Sequence, residues 1–152
     1  MELYRRFRCL TPDISDGDMR AVAVALRRVR RIALLLERPV PLESPPTLRS
    51  LVHFATLCPQ LVSLSLSQVD LNSAIPSALP GEGPVQCDAL RILRLADSGP
   101  ATEPKRVAAC LHRLFPHLDV AACVFADDIA KSAVVQDEIG LLQRDPEARK
   151  NE

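Results

Sequence analysis

Few residues in this chain have the type and spacing that chemistry needs. His53, His112 and His117 are the only imidazoles among 152 residues. Covalent catalysis requires a nucleophile, a base and an orienting group in reach, and a metal site requires ligands at characteristic spacing. Cys110 and His112 are two apart, so on a helix they point to different sides. His53 and Cys58 are five apart across an expected helix end. Asp127 and Asp128 form a paired carboxylate, but they open an apolar-periodic segment, where acids cap a helix and suit its positive end. Pro80-Gly-Glu-Gly-Pro84 has neither the glycine spacing nor the following Lys-Ser/Thr of a phosphate loop. Five cysteines (Cys9, Cys58, Cys87, Cys110 and Cys123) are an odd number with no Cys-x-x-Cys pair. That argues against a disulfide framework or a zinc knuckle and for buried, reduced thiols in an intracellular protein. The expectation is a non-enzymatic protein with no catalytic residue, metal or cofactor.

Composition narrows the partners. Hydrophobic residues are 47% and charged residues 25%, which is globular and not disordered. Nineteen basic residues balance nineteen acidic ones, so the net charge implies no polyanion. The balance is uneven along the chain: residues 1–40 carry +4, residues 41–100 carry −2 and residues 101–152 carry −2. The Arg27-Arg-x-Arg-Arg31 run straddles an expected helix end and a strand, which scatters its charges over several faces. Trp is absent and aromatics are 3%, so stacking platforms for bases are missing. Nucleic acid is not an expected partner. The first residues lack a signal-peptide run, and Ile32-Ala-Leu-Leu-Leu36 is strand-sized and far short of a membrane span. No membrane partner is expected, and the location expected is cytoplasmic or nuclear. By length the chain is one domain, over residues 1–143, with a frayed charged tail over 144–152.

The elements that must position any site alternate. Tyr4-Arg-Arg-Phe7-Arg-Cys9 has strand period, and Ser15 or Asp16 caps a helix over roughly Asp18–Arg28 with Met19, Val22, Ala23, Leu26 and Val29 at helical spacing. Val29–Leu36 is the next strand. Ser44-Pro45-Pro46 opens a second helix with Leu48, Leu51, Val52 and Ala55 inward, and Pro59 closes it. Leu61-Val-Ser-Leu64-Ser-Leu66 is the third strand, and a Pro/Gly loop fills the stretch from Asn72 to Gln86. Leu90-Arg-Ile-Leu93-Arg-Leu95 follows as the fourth. A helix from Thr102-Glu103-Pro104 carries Val107, Cys110, Leu111 and Leu114 inward. Leu118–Phe125 is a weaker fifth strand, and a last helix has Ile129, Val135, Ile139 and Leu142 inward.

The strands share a frame. Phe7/Cys9, Ile32/Leu34, Leu64/Leu66, Leu93/Leu95 and Ala121/Cys123 recur at intervals of 25, 32, 29 and 28 residues, and Tyr4, Val29, Leu61, Leu90 and Leu118 precede them by three. A Leu-x-x-Leu-x-Leu frame at about 20–29 residues is that of a leucine-rich repeat. The corner Asn of the common consensus is absent, with Val69 and Ser98 in its place. The fold expected is α/β, a leucine-rich-repeat-like solenoid of about five parallel strands backed by helices. A doubly wound α/β domain fits the same alternation; the constant frame and the Pro-terminated helices favour the solenoid. Alternation along strands whose Leu-x-Leu pairs point inward then exposes Arg6, Arg8, Arg31, Ala33, Ser63, Ser65, Ser67, Ile92 and Arg94 on one face. The candidate partner-binding residues are Arg6, Arg8, Arg31, Ser63, Ser65, Ser67 and Arg94, whose guanidiniums suit an acidic protein segment.

Three segments carry a resemblance. Leu48-Arg-Ser-Leu-Val-His-Phe-Ala-Thr-Leu-Cys-Pro-Gln-Leu-Val-Ser-Leu-Ser-Leu, Leu90-Arg-Ile-Leu-Arg-Leu-Ala-Asp-Ser and Val107-Ala-Ala-Cys-Leu-His-Arg-Leu-Phe-Pro-His-Leu resemble the C-terminal repeat region of basidiomycete-type fungal F-box proteins. The likeness spans roughly Ser15 to Phe125. It implies a protein-recognition surface that selects substrates for a cullin-type ubiquitin ligase, whose adaptor is reached only through an F-box. No F-box is read in this chain, so the expectation is a fragment of the substrate-binding region. The alternative expectation is a truncated structural remnant without a partner of its own.

Overall fold

The structure is a computed structural model and describes residues 2–7, 14–36, 44–74, 85–125 and 129–144. The chain runs β1 (Glu2–Phe7), α1 (Asp16–Ala25), β2 (Arg31–Leu36), α2 (Leu48–Leu57), β3 (Ser63–Ser67), β4 (Ile92–Ala96), α3 (Pro104–Leu114), a 3-10 turn (Val120–Ala122) and α4 (Ile129–Arg144).

Local chemistry sets the helix ends. Ser15 caps α1 through a capping box: its hydroxyl accepts the Asp18 amide, while the Asp18 carboxylate accepts the Ser15 amide at 2.9 Å. Thr47, and not Ser44, caps α2. The chain is still extended there, because the Pro46 carbonyl accepts the Asp70 amide at 2.8 Å and Thr47 bridges Asp70 in parallel. Helix α2 ends at Leu57 and α3 at Leu114, in both cases just before an apolar residue and a proline. A following proline disfavours the helical conformation of the residue before it, and Cys58 and Phe115 have left it.

The sheet is parallel and open, in the order β1-β2-β3-β4. Ile32 pairs with Leu64 and Leu64 with Leu93; Leu34 pairs with Leu66 and Leu66 with Leu95. These six side chains are buried. They form one row of the core, with Leu51, Phe54 and Ala55 of α2 and Val107, Leu111 and Leu114 of α3 completing it. Burying each large apolar side chain contributes about 1.5–3 kcal/mol. The helices pack in chain order, α1 on α2, α2 on α3 and α3 along α4. Among the described residues no helix is long and apolar enough to cross a membrane.

The expected five-strand leucine-rich-repeat-like solenoid is not what the chain builds. It is a small α/β protein whose described residues form one open sheet of four parallel strands. The segment 118–125 does not join as a fifth strand: it turns through the 3-10 helix, and Val124 alone bridges to Arg94. The Val124 amide donates to the Leu93 carbonyl at 3.0 Å and its carbonyl accepts the Leu95 amide at 2.7 Å, but the Leu93 amide donates to Cys123 Sγ at 3.4 Å, so a thiol stands where a fifth strand would place a backbone acceptor. Gln136 donates to the Cys123 carbonyl at 2.6 Å, the Phe125 amide donates to Ser132 at 3.0 Å, and Gln143 donates to the Leu118 carbonyl at 3.0 Å. Side chains of α4 thus satisfy backbone groups of this segment other than those that Val124 offers to β4. The first strand also differs in register. Leu3 and Arg5, not Phe7 and Cys9, stand opposite Ile32 and Leu34. A slip of four residues preserves the alternation of faces, so a period-two pattern is blind to it.

Candidate functional site

The outer row of the sheet alternates with the buried one. In register, Arg31 lies beside Ser63 and Ser63 beside Ile92; two residues on, Ala33 lies beside Ser65 and Ser65 beside Arg94. Arg31 and Arg94 are exposed, and Ser63, Ser65, Ala33 and Ile92 are half-buried. With about 4.8 Å between strands and about 3.3 Å per residue, the two arginine Cα positions are about 12 Å apart. They flank Ser63 and Ser65 on a row that also carries Ala33 and Ile92.

The other expected members fare differently. Ser67 stands opposite Ala96 but is buried, 1% exposed, and offers nothing to solvent. The Arg6 backbone is in register with Leu35, on the outer row. Arg8 lies outside the described residues, as do Asp127, Asp128 and the Pro80–Pro84 loop. Arg27, Arg28, Arg30 and Arg31 are all exposed; the first three lie between α1 and β2, and Arg31 opens β2.

Among the described residues the histidines do not converge with a nucleophile. His112 is buried on α3, and His117 is exposed with its Nε2 3.9 Å from Asp88 Oδ1. His53 is half-buried on α2, near Asp16. Among the described residues no group of three or more His, Cys, Asp or Glu is placed to hold a metal ion. Cys58, Cys87, Cys110 and Cys123 are free and buried. Burial pushes the Cys58 and Cys123 thiols up to about 11 and raises Cys87 and Cys110 as well, the reverse of what a nucleophilic thiol needs.

Two polar assemblies escaped the sequence. Asp16 accepts from the Thr47 amide at 2.8 Å, the Thr47 hydroxyl at 2.7 Å and the Ser50 hydroxyl at 2.6 Å, which ties α1 to α2. Asn72 accepts from the Thr102 amide at 2.7 Å and hydroxyl at 2.8 Å in the same fashion, thirty residues on. The Asp/Asn and Thr spacing of about one structural unit was the available signal. Both assemblies are fastenings between elements and present no reactive group. No protein-family model, no curated protein and no solved structure matches this chain.

Proposed function

We propose that this chain is a non-enzymatic protein-recognition domain that lays the outer face of its sheet against an acidic protein segment. The observation that carries the reading is the pair of exposed guanidiniums, Arg31 and Arg94, set about two strands apart across Ser63 and Ser65. Guanidinium binds carboxylate bidentately, and small hydroxyl side chains let a backbone approach closely. The resemblance to fungal F-box proteins supplies a class of job, selection of a protein for a cullin-type ubiquitin ligase, in the cytoplasm or nucleus. The proposal concerns selection alone, since the ligase adaptor is reached through an F-box.

Fluorescence anisotropy with an extended Asp/Glu-rich peptide tests it, alongside a peptide of the same length with Asn and Gln in place of the acids. Wild type binds the acidic peptide, more weakly as salt rises. Arg31→Glu/Arg94→Glu binds it at least roughly tenfold more weakly, the equivalent of about 1.5 kcal/mol for a lost charge-assisted contact. Thermal melting establishes that the variant is folded. Equal binding of the two peptides, or equal binding by the folded variant, contradicts the reading.

A further inference from the structure

We infer that a groove on the side of the molecule, between the end of α3 and the end of α4, is a carboxylate-binding site. It is distinct from the sheet face and does not rest on the function proposed for that face. Its volume is about 500 Å³, within the usual span of small-ligand pockets, about 300–1,000 Å³. One guanidinium and two imidazoles line it: Arg91 from just before β4, His112 from α3 and His117 from the loop after α3. Pro116, Leu118 and Leu142 supply an apolar lining, and Gln143 completes the wall.

The walls are fixed before any ligand arrives. Gln143 Nε2 donates to the Pro116 carbonyl at 3.3 Å and to the Leu118 carbonyl at 3.0 Å, which pins the loop to α4. The Asp119 amide donates to the Arg91 carbonyl at 2.7 Å. Arg91 Nη1 donates to the Asp88 and Leu90 carbonyls, so the guanidinium is held in place by one nitrogen. Guanidinium carries five N–H donors in a planar fork. No hydrogen bond from Nε or Nη2 to an acceptor is seen among the described residues. A site held rigid in its binding form loses little entropy on binding.

Chemistry then selects the ligand. One permanent cation and the exposed His117 imidazole stand at the groove, beside a patch of apolar carbon, with the buried His112 in its wall. The carboxylate nearest His117 is Asp88, whose side chain is 70% exposed and whose Oδ1 accepts from Gln86 Nε2 at 2.9 Å and lies 3.9 Å from His117 Nε2. A carboxylate with a short branched apolar tail matches: the anion on Arg91 and His117, the tail on Leu118 and Leu142. Such a group comes either from a free small acid or from the C-terminal residue of a peptide.

Isobutyrate and its neutral isostere isobutyramide are the probes, titrated into isotopically labelled full-length protein and followed by amide chemical shifts. Isobutyrate gives saturable shifts at Arg91, His117 and Leu118, with the millimolar affinity that suits its size. Isobutyramide binds at least roughly tenfold more weakly, because it lacks the charge. Arg91→Gln loses the isobutyrate shifts. That variant also loses bonds to two carbonyls, so His117→Gln, at an exposed position, provides a second reading and weakens binding several-fold with melting unchanged. The Arg31→Glu/Arg94→Glu variant binds isobutyrate as wild type does, which separates this site from the sheet face. Acetyl-alanyl-leucine with a free or an amidated terminus distinguishes the source. Tighter binding of the free-terminus peptide than of isobutyrate assigns the site to peptide termini, and binding no tighter assigns it to small acids. Equal shifts from the acid and the amide, shifts that never saturate, or full binding by both Arg91→Gln and His117→Gln overturn the site.

Discussion

The carboxylate of Asp16 fastens α1 to α2, accepting from the Thr47 amide and hydroxyl and from the Ser50 hydroxyl. Partial burial pushes it upward, but hydrogen bonds from Ser50 and Thr47, with the nearby His53 imidazole, hold it below the ordinary value of 3.8. A carboxyl lowered in the folded state adds stability that is complete above its unfolded value and is lost as pH falls through the folded one. Asp16→Asn replaces an acceptor of three bonds with an amide, and hydrogen bonds to charged groups contribute about 1.5–3 kcal/mol. The expected cost is about 2 kcal/mol at neutral pH. Urea unfolding of wild type and variant measures it, and the gap narrows as pH drops below about 4, where the unfolded carboxyl protonates. A gap independent of pH contradicts this account. Ser98 is the second residue of this kind. Its buried hydroxyl accepts the buried Val69 amide at 3.1 Å, and Gln68 just before adopts a left-handed backbone with φ of 58°. Ser98→Ala leaves that amide without its acceptor at a cost of about 1–3 kcal/mol. Faster hydrogen exchange at Val69 is the local signature.

At the scale of elements, the two rows of the sheet carry unequal loads. Leu66 is fully buried between Leu34 and Leu95, and Ser65 beside it is half-buried. Leu66→Ala costs about 2–5 kcal/mol through lost burial and the cavity left behind. Ser65→Ala stays within about 0.5 kcal/mol, the range of surface changes. Denaturant midpoints for the two variants check the contrast, and a large loss from Ser65→Ala contradicts the assignment of faces. That contrast was legible beforehand. Ile32/Leu34, Leu64/Leu66 and Leu93/Leu95 advertise alternation that only a sheet with one packed face satisfies, and Leu48, Leu51, Val52 and Ala55 advertise a helix. Two things were not legible. The β1 register was ambiguous because Leu3/Arg5 and Phe7/Cys9 have the same parity. The partial pairing of Leu118–Phe125 was hidden because the Cys123 thiol takes the Leu93 amide while Gln136, Ser132 and Gln143 of a later helix hold other backbone groups of the segment, and a hydrophobic pattern shows neither. The groove was hidden for the same reason: Arg91, His112 and Leu142 are brought together by packing across about fifty residues of chain. Arg31 and Arg94 could be placed because strand alternation alone puts them on the outer row.

For the molecule as a whole, the four described thiols make a built-in gauge of cooperativity. Cys58 ends α2, Cys87 precedes β4, Cys110 lies in α3 and Cys123 follows the 3-10 turn, so they sample most of the core. They are tied to backbone there: Cys58 Sγ donates to the Ala23 carbonyl at 3.4 Å, and Cys87 Sγ to the Cys58 carbonyl at 3.7 Å. Thiolate is the reactive form, and burial has pushed Cys58 and Cys123 to about 11, so native protein at neutral pH resists a thiol-exchange reagent. In a Cys9→Ser background, reactivity reports opening of the structure around each site. The buried residues form one cluster from Met19 to Ile139, which predicts that all four thiols become reactive at the urea concentration where helical circular dichroism is lost. Early labelling of Cys123 alone overturns that prediction, because it means that the turn and α4 open as a separate unit. Such an opening would dismantle the Leu142 and Gln143 wall of the groove while leaving Arg31 and Arg94 on an intact sheet. Isobutyrate, which binds only the closed groove, would then delay labelling of Cys123 by mass action and leave Cys58 unchanged. If the core is one unit, the same ligand delays all four thiols together.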